Sequence, residues 1–131
     1  MLLDEFKKII NNEKPCIIMF YASWCDLSFE FINKFIELSN CSKDINFSTI
    51  DIDQNIDITD YCNINSSCII QIYYKNKLKC ETIFTSKEDL QQILKESLEF
   101  INKNKRIIYN NPIVIGDKII YKDYKKIIYD F

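Results

Sequence analysis

At 131 residues with a formal net charge of −2, the chain holds enough sequence for one domain with a single core and little to spare. The absence of histidine removes any His-based triad, general base or metal ligand. A lone glycine, Gly116, rules out a phosphate-cradling glycine loop. Hydrophobic residues at 47% and aromatic residues at 14% argue for a packed globule and against disorder.

Leu2, Leu3, Phe6, Ile9 and Ile10 recur at helical intervals and predict a first helix ending at Asn11-Asn12. Pro15 then opens a strand from Cys16 to Ala22, whose nearly unbroken apolar run suits a strand covered on both faces. A long helix is expected from about Trp24, with Phe29, Ile32, Phe35, Ile36 and Leu38 turned inward, stopping near Asn40. Ile45 to Ile52 alternates as a strand ending in Asp51-Ile52-Asp53, and a short helix follows around Ile56 to Cys62. Cys68 to Tyr74 and Leu78 to Phe84 are expected as strands joined by the turn Lys75-Asn76-Lys77. Two overlapping capping signals, Thr85 with Glu88 and Ser86 with Asp89, open a final helix through Leu90, Ile93, Leu94, Leu98 and Ile101. The order αβαβαββα predicts an α/β fold: a central mixed sheet with two parallel crossovers and a closing hairpin, helices on both faces.

Residues 102–131 are expected as a separate C-terminal extension on a body of residues 1–101. The body carries a net charge of −6 and the extension +4. A basic tail on an acidic body points toward acidic or nucleic-acid partners; the alternative is a solvated tail in a Lys-rich chain. Ile107-Ile108-Tyr109, Ile113-Val114-Ile115 and Ile119-Ile120-Tyr121 are short strands or extended pieces laid on the body. Tyr109, Tyr121, Tyr124 and Tyr129 are interleaved with lysines, a mixture that stacks bases and neutralises phosphates, or else packs the tail down.

Six cysteines, Cys16, Cys25, Cys41, Cys62, Cys68 and Cys80, are scattered without a C-x-x-C pair. That spacing argues against a zinc site and against a disulfide framework, and no metal or cofactor is expected. The segment Met1 to Lys8 is too charged for a signal peptide, and no apolar run is long enough to span a bilayer. Free thiols without a secretion signal point to the nucleus or cytoplasm, with no membrane role and no secretion.

The stretch from Cys16 to Ser28 carries the chemistry. An apolar strand runs into Trp24-Cys25, and an amphipathic helix follows at once. A cysteine placed there meets unpaired backbone N–H groups and a helix dipole that favour its thiolate. Trp-Cys-x-x-Cys would be a redox dithiol, but the second position is Ser28. Cys25 could still attack a disulfide or glutathione adduct. Release would then need glutathione, another protein thiol, or a distant cysteine such as Cys68.

This element order, with Phe20-Tyr-Ala-Ser-Trp-Cys25 before a helix, resembles the thioredoxin fold over roughly residues 2–101. The resemblance implies Cys25 as the nucleophilic cysteine. Redox members carry Trp-Cys-Gly-Pro-Cys and a cis-proline facing it; here Ser28 replaces the resolving cysteine, and Ser67 or Cys68 falls at the proline. Met19 stands where those members hold a buried proton-shuttling acid. A narrower resemblance is to the spliceosomal thioredoxin-like protein 4 (Dim) family, which keeps the fold without a working dithiol and extends past the last helix. It rests on Ile50-Asp-Ile-Asp-Gln54, Ser67 to Lys77, the basic turn Lys103-Asn-Lys-Arg106 and Ile107-Ile-Tyr-Asn-Asn-Pro112. It implies a non-catalytic interaction protein of the pre-mRNA splicing machinery, binding splicing proteins and contacting RNA backbone. Trp24, Lys103, Lys105, Arg106, Tyr109, Tyr121 and Tyr124 are then the partner-binding candidates. The other implied function is a monothiol oxidoreductase acting through Cys25.

Overall fold

The computed structural model describes residues 1–25, 28–40, 42–109, 113–120 and 124–131. Side chains are described for these except 28, 29, 109, 113, 120, 124 and 125. The described chain divides into two compact units, Met1–Ser97 and Leu98–Phe131.

The first unit is built on β1 (Cys16–Tyr21). β2 (Asn46–Asp51) pairs parallel to it on one side, and β3 (Ile69–Tyr74) pairs antiparallel on the other. β4 (Lys77–Ile83) completes the sheet in the order β2-β1-β3-β4. Lys75 and Asn76, at φ of 49° and 69°, turn the β3–β4 hairpin with two left-handed residues in succession. This backbone matches the right-handed twist of the strands it joins.

Alternation along β1 divides the core. Cys16, Ile18 and Phe20 face one side, packed with Phe6 and Ile10 of α1 (Leu3–Ile10), and with Ile58 of α3 (Ile56–Tyr61). Ile17 and Met19 face the other side, on which α2 (Ser28–Ser39) sets Phe35 edge-on against Phe47 at 5.6 Å. α4 (Lys87–Lys103) buries Leu90, Ile93 and Leu94 at helical spacing. Of its two capping registers the second forms: Ser86 Oγ accepts the Asp89 N–H at 3.1 Å, and the Asp89 carboxylate accepts the Thr85 N–H at 2.9 Å.

Three expectations need correction. One parallel pair is present among the described strands, because β3 returns antiparallel. The six-residue α3 rises about 9 Å, against about 20 Å for a six-residue strand, and is too short to carry the chain back along the sheet. Helix α2 begins at Ser28 rather than Trp24, since residues 22–25 are used in a turn. Ile36 is 51% exposed; the inward stripe runs instead through Phe31 and Phe35, and Ile36 lies about 100° around the helix from Phe35. Phe29's side chain lies outside those described.

In the second unit, β5 (Lys105–Tyr109) pairs antiparallel with β8 (Tyr124–Tyr129). Within that span β6 (Ile113–Ile115) and β7 (Lys118–Ile120) form a smaller hairpin. Gly116, at φ of +61°, turns the smaller hairpin in the left-handed region that glycine adopts without strain. Phe131 stacks on Tyr129 and Phe100 at ring separations of 5.8 and 5.2 Å.

Two adjacent residues of α2 should therefore behave very differently. Phe35→Ala is expected to cost about 3–5 kcal/mol and Ile36→Ala under about 1 kcal/mol, read from urea unfolding midpoints of the full chain. Equal losses would place the inward stripe wrongly.

Candidate functional site

Three consecutive carbonyls at the end of β1 distribute three segments of chain. Phe20 C=O accepts the Cys68 N–H at 3.0 Å, Tyr21 C=O accepts the Ile52 N–H at 2.9 Å, and Ala22 C=O accepts the Cys25 N–H at 3.1 Å. The last bond closes a tight turn over Ser23 and Trp24. It leaves the Trp24 side chain 70% exposed and holds Cys25 half-buried beside the strand end. Trp24 thus does not cap the core.

Cys68 enters the same place from the opposite direction. Its N–H is held by Phe20, and its carbonyl accepts the Phe84 N–H at 3.0 Å, so the backbone is pinned toward β1 and toward the end of β4. Its φ of +67° is left-handed, which costs a residue with a Cβ roughly 1–2 kcal/mol. The side chains of Cys25 and Ser67 are near enough to that of Cys68 to shift its titration. Burial pushes the Cys68 thiol up from its ordinary value, the Ser67 hydrogen bond opposes this, and the adjacent Cys25 adds to the rise. No cis peptide bond occurs among the described residues, and Ser67 and Cys68 occupy the segment where the cis-proline is expected.

The other described thiols are engaged elsewhere. Cys16 is buried, donates to the Ile9 carbonyl at 3.0 Å, and is pushed up to about 11 by desolvation. Cys62 is buried and raised by desolvation, with the nearby Tyr73 hydroxyl opposing the rise. Cys80 sits on β4 with its sulfur 3.9 Å from Thr82 Oγ1. Cys41 lies outside the described residues.

Ser28 opens α2, and its hydroxyl lies outside the described side chains. Met19 is fully buried on the α2 side of the sheet. Asp51, a buried carboxylate one residue pair further along that face, accepts the Asp53 and Gln54 N–H groups at 2.9 and 3.2 Å. It closes the turn after β2, a local role of the kind Asp side chains take in turns.

The remaining candidates lie in the second unit. Lys103 is exposed in the last turn of α4, and Lys105 opens β5. Arg106 forms a fork with Asp130, Nε at 3.0 Å and Nη2 at 3.4 Å, so its guanidinium already has a carboxylate to displace. Both partners are more than half exposed, and such pairs contribute little. Tyr109 pairs with Tyr124 across β5–β8 where the register shifts. Their side chains, and Tyr121 as a whole, lie outside what is described.

The sheet order, the helices flanking it and a cysteine at the end of the central strand define a thioredoxin fold. The Thioredoxin family profile matches residues 2–96, and the chain belongs to that family. It is 29% identical to a thioredoxin of Coprinus comatus over 73% of this chain and 92% of that protein. It is 32% identical to thioredoxin-1 of Schizosaccharomyces pombe over 61% and 77%. Among solved structures it is similar to the oxidised thioredoxin of Plasmodium falciparum, with a TM-score of 0.66 at 22% identity, covering 73% of this chain and 92% of that one. These matches reach the thioredoxin family and not the narrower spliceosomal branch. No helix among the described residues is long and apolar enough to cross a membrane.

The burial pattern ranks the thiols. Iodoacetamide added to the folded chain at mildly alkaline pH should label Cys25 well before Cys16 and Cys62, as followed by peptide mapping. Labelling of Cys16 at the rate of Cys25 would contradict this arrangement.

Proposed function

We propose that the protein is a thiol–disulfide oxidoreductase acting through Cys25. The observation that carries this reading is the half-exposed Cys25 thiol at the end of β1, beside the exposed Trp24, in a chain of the thioredoxin family. The Cys25 thiolate attacks a substrate disulfide, forming a mixed disulfide and releasing one substrate thiol. Ser28 offers no second thiol within the motif, so a thiol from outside it completes the reaction. With glutathione, one molecule displaces the second substrate thiol and leaves a Cys25–glutathione disulfide. A second glutathione regenerates Cys25 and departs as glutathione disulfide. The substrate disulfide gains two electrons and two glutathiones lose them.

The full chain should reduce a small disulfide substrate with glutathione as co-reductant, and Cys25→Ser should bring the rate down to that of glutathione alone. Undiminished turnover by Cys25→Ser would overturn this reading.

A second reading rests on the C-terminal unit, all of which lies past the thioredoxin match. In it the protein is an interaction subunit of the splicing machinery, in the nucleus or cytoplasm. Lys103, Lys105 and Arg106 would meet splicing proteins or RNA backbone. A chain ending near residue 102, checked by circular dichroism for retained fold, should then lose splicing components in a pull-down. Full retention by the folded, shortened chain would remove this reading.

A further inference from the structure

The anchoring of Cys25 and Cys68 at one strand end allows more than a one-thiol mechanism. The pairing of Phe20 with Ile69 sets residue 68 at the end of β1, and the Phe20 carbonyl fixes its backbone there. The turn closed on Ala22 folds Cys25 back onto the same strand end. Two cysteines 43 positions apart in sequence are thereby anchored to one strand end, through carbonyls two residues apart, while Cys16 and Cys62 are buried in the core. A disulfide needs the two sulfurs to close to about 2 Å. Both residues are half-buried, not sealed in the core, so a mixed disulfide on Cys25 would form beside Cys68.

We propose that Cys68 is the resolving cysteine of this protein, replacing the thiol that Ser28 lacks, and that the catalytic disulfide is Cys25–Cys68. The proposal rests on Cys25 being the nucleophile. After Cys25 has formed its mixed disulfide, Cys68 gives up its proton and its thiolate attacks Cys25 Sγ. The Cys25–Cys68 bond forms, the bond from Cys25 to the substrate sulfur breaks, and that sulfur leaves as a thiolate and takes a proton. The pair has lost two electrons to the substrate disulfide. Two small thiols such as glutathione, or one dithiol reductant, return them. Held in place, Cys68 acts at an effective concentration far above that of a thiol free in solution.

The test treats the full chain with glutathione disulfide, quenches with acid, and maps disulfides by non-reducing peptide mass spectrometry. The wild-type chain should yield the Cys25–Cys68 peptide pair with little Cys25–glutathione adduct. Cys68→Ser should accumulate that adduct at least about tenfold more, since an internal thiol at high effective concentration is gone. Equal adduct on both chains with no Cys25–Cys68 pair would overturn the proposal while leaving Cys25 with an outside resolver. Failure of glutathione to modify Cys25 in either chain, with no internal pair, would overturn the nucleophile reading and this proposal together. The wild-type map alone decides the matter if Cys68→Ser does not fold.

Discussion

The end of β1 is the constraint on which the site depends. Cys16 to Phe20 are at most 1% exposed, hydrogen-bonded to β2 on one side and to β3 on the other. A strand so enclosed has no freedom to slip, because a shift of one residue would exchange its two faces. Its last carbonyls therefore sit at fixed points, and those of Phe20, Tyr21 and Ala22 capture Cys68, Ile52 and Cys25 in turn. The placement of both thiols is a consequence of sheet register.

Thioredoxin chemistry needs a nucleophilic thiol, a second thiol to release the mixed disulfide, and a surface where the partner disulfide can lie. In a C-x-x-C motif the first two come from one helical turn. Here the motif supplies one thiol, and the opposing loop supplies a sulfur where the redox relatives would hold a proline. Burial raises the Cys68 thiol from its ordinary value, which favours its protonated form. In the proposed cycle, Met19 offers no carboxylate at that position, so the proton would pass to solvent or to the substrate thiolate.

The second unit is held by different physics. A two-stranded hairpin is marginal alone in water, and this unit carries two, one nested in the span of the other. It adds the Phe100, Tyr129 and Phe131 stack, the Asn104 carbonyl accepting the Asp130 N–H at 2.9 Å, and the Arg106–Asp130 fork. Val114, Ile115 and Ile119 of the smaller hairpin are each more than half exposed.

Hydrophobic spacing and turn chemistry by themselves determined the α1 to α4 order, the buried run of β1 and the Lys75-Asn76 hairpin. These are local properties: a period, a cap or a turn is complete within a few residues. β8 was not legible, because Lys125 and Lys126 interrupt its apolar run and its pairing with β5 spans some twenty residues. The antiparallel return of β3 depended on where a six-residue helix could deliver the chain, and the inward face of α2 on which of two adjacent apolar residues met Phe47. The sequence offered Trp24-Cys25 as a candidate centre and Cys68 as one of several thiols that could resolve it. Only the tertiary structure brought Cys68 to the same strand end as Cys25, because that placement is made by strand pairing between distant segments, which leaves no mark in local spacing.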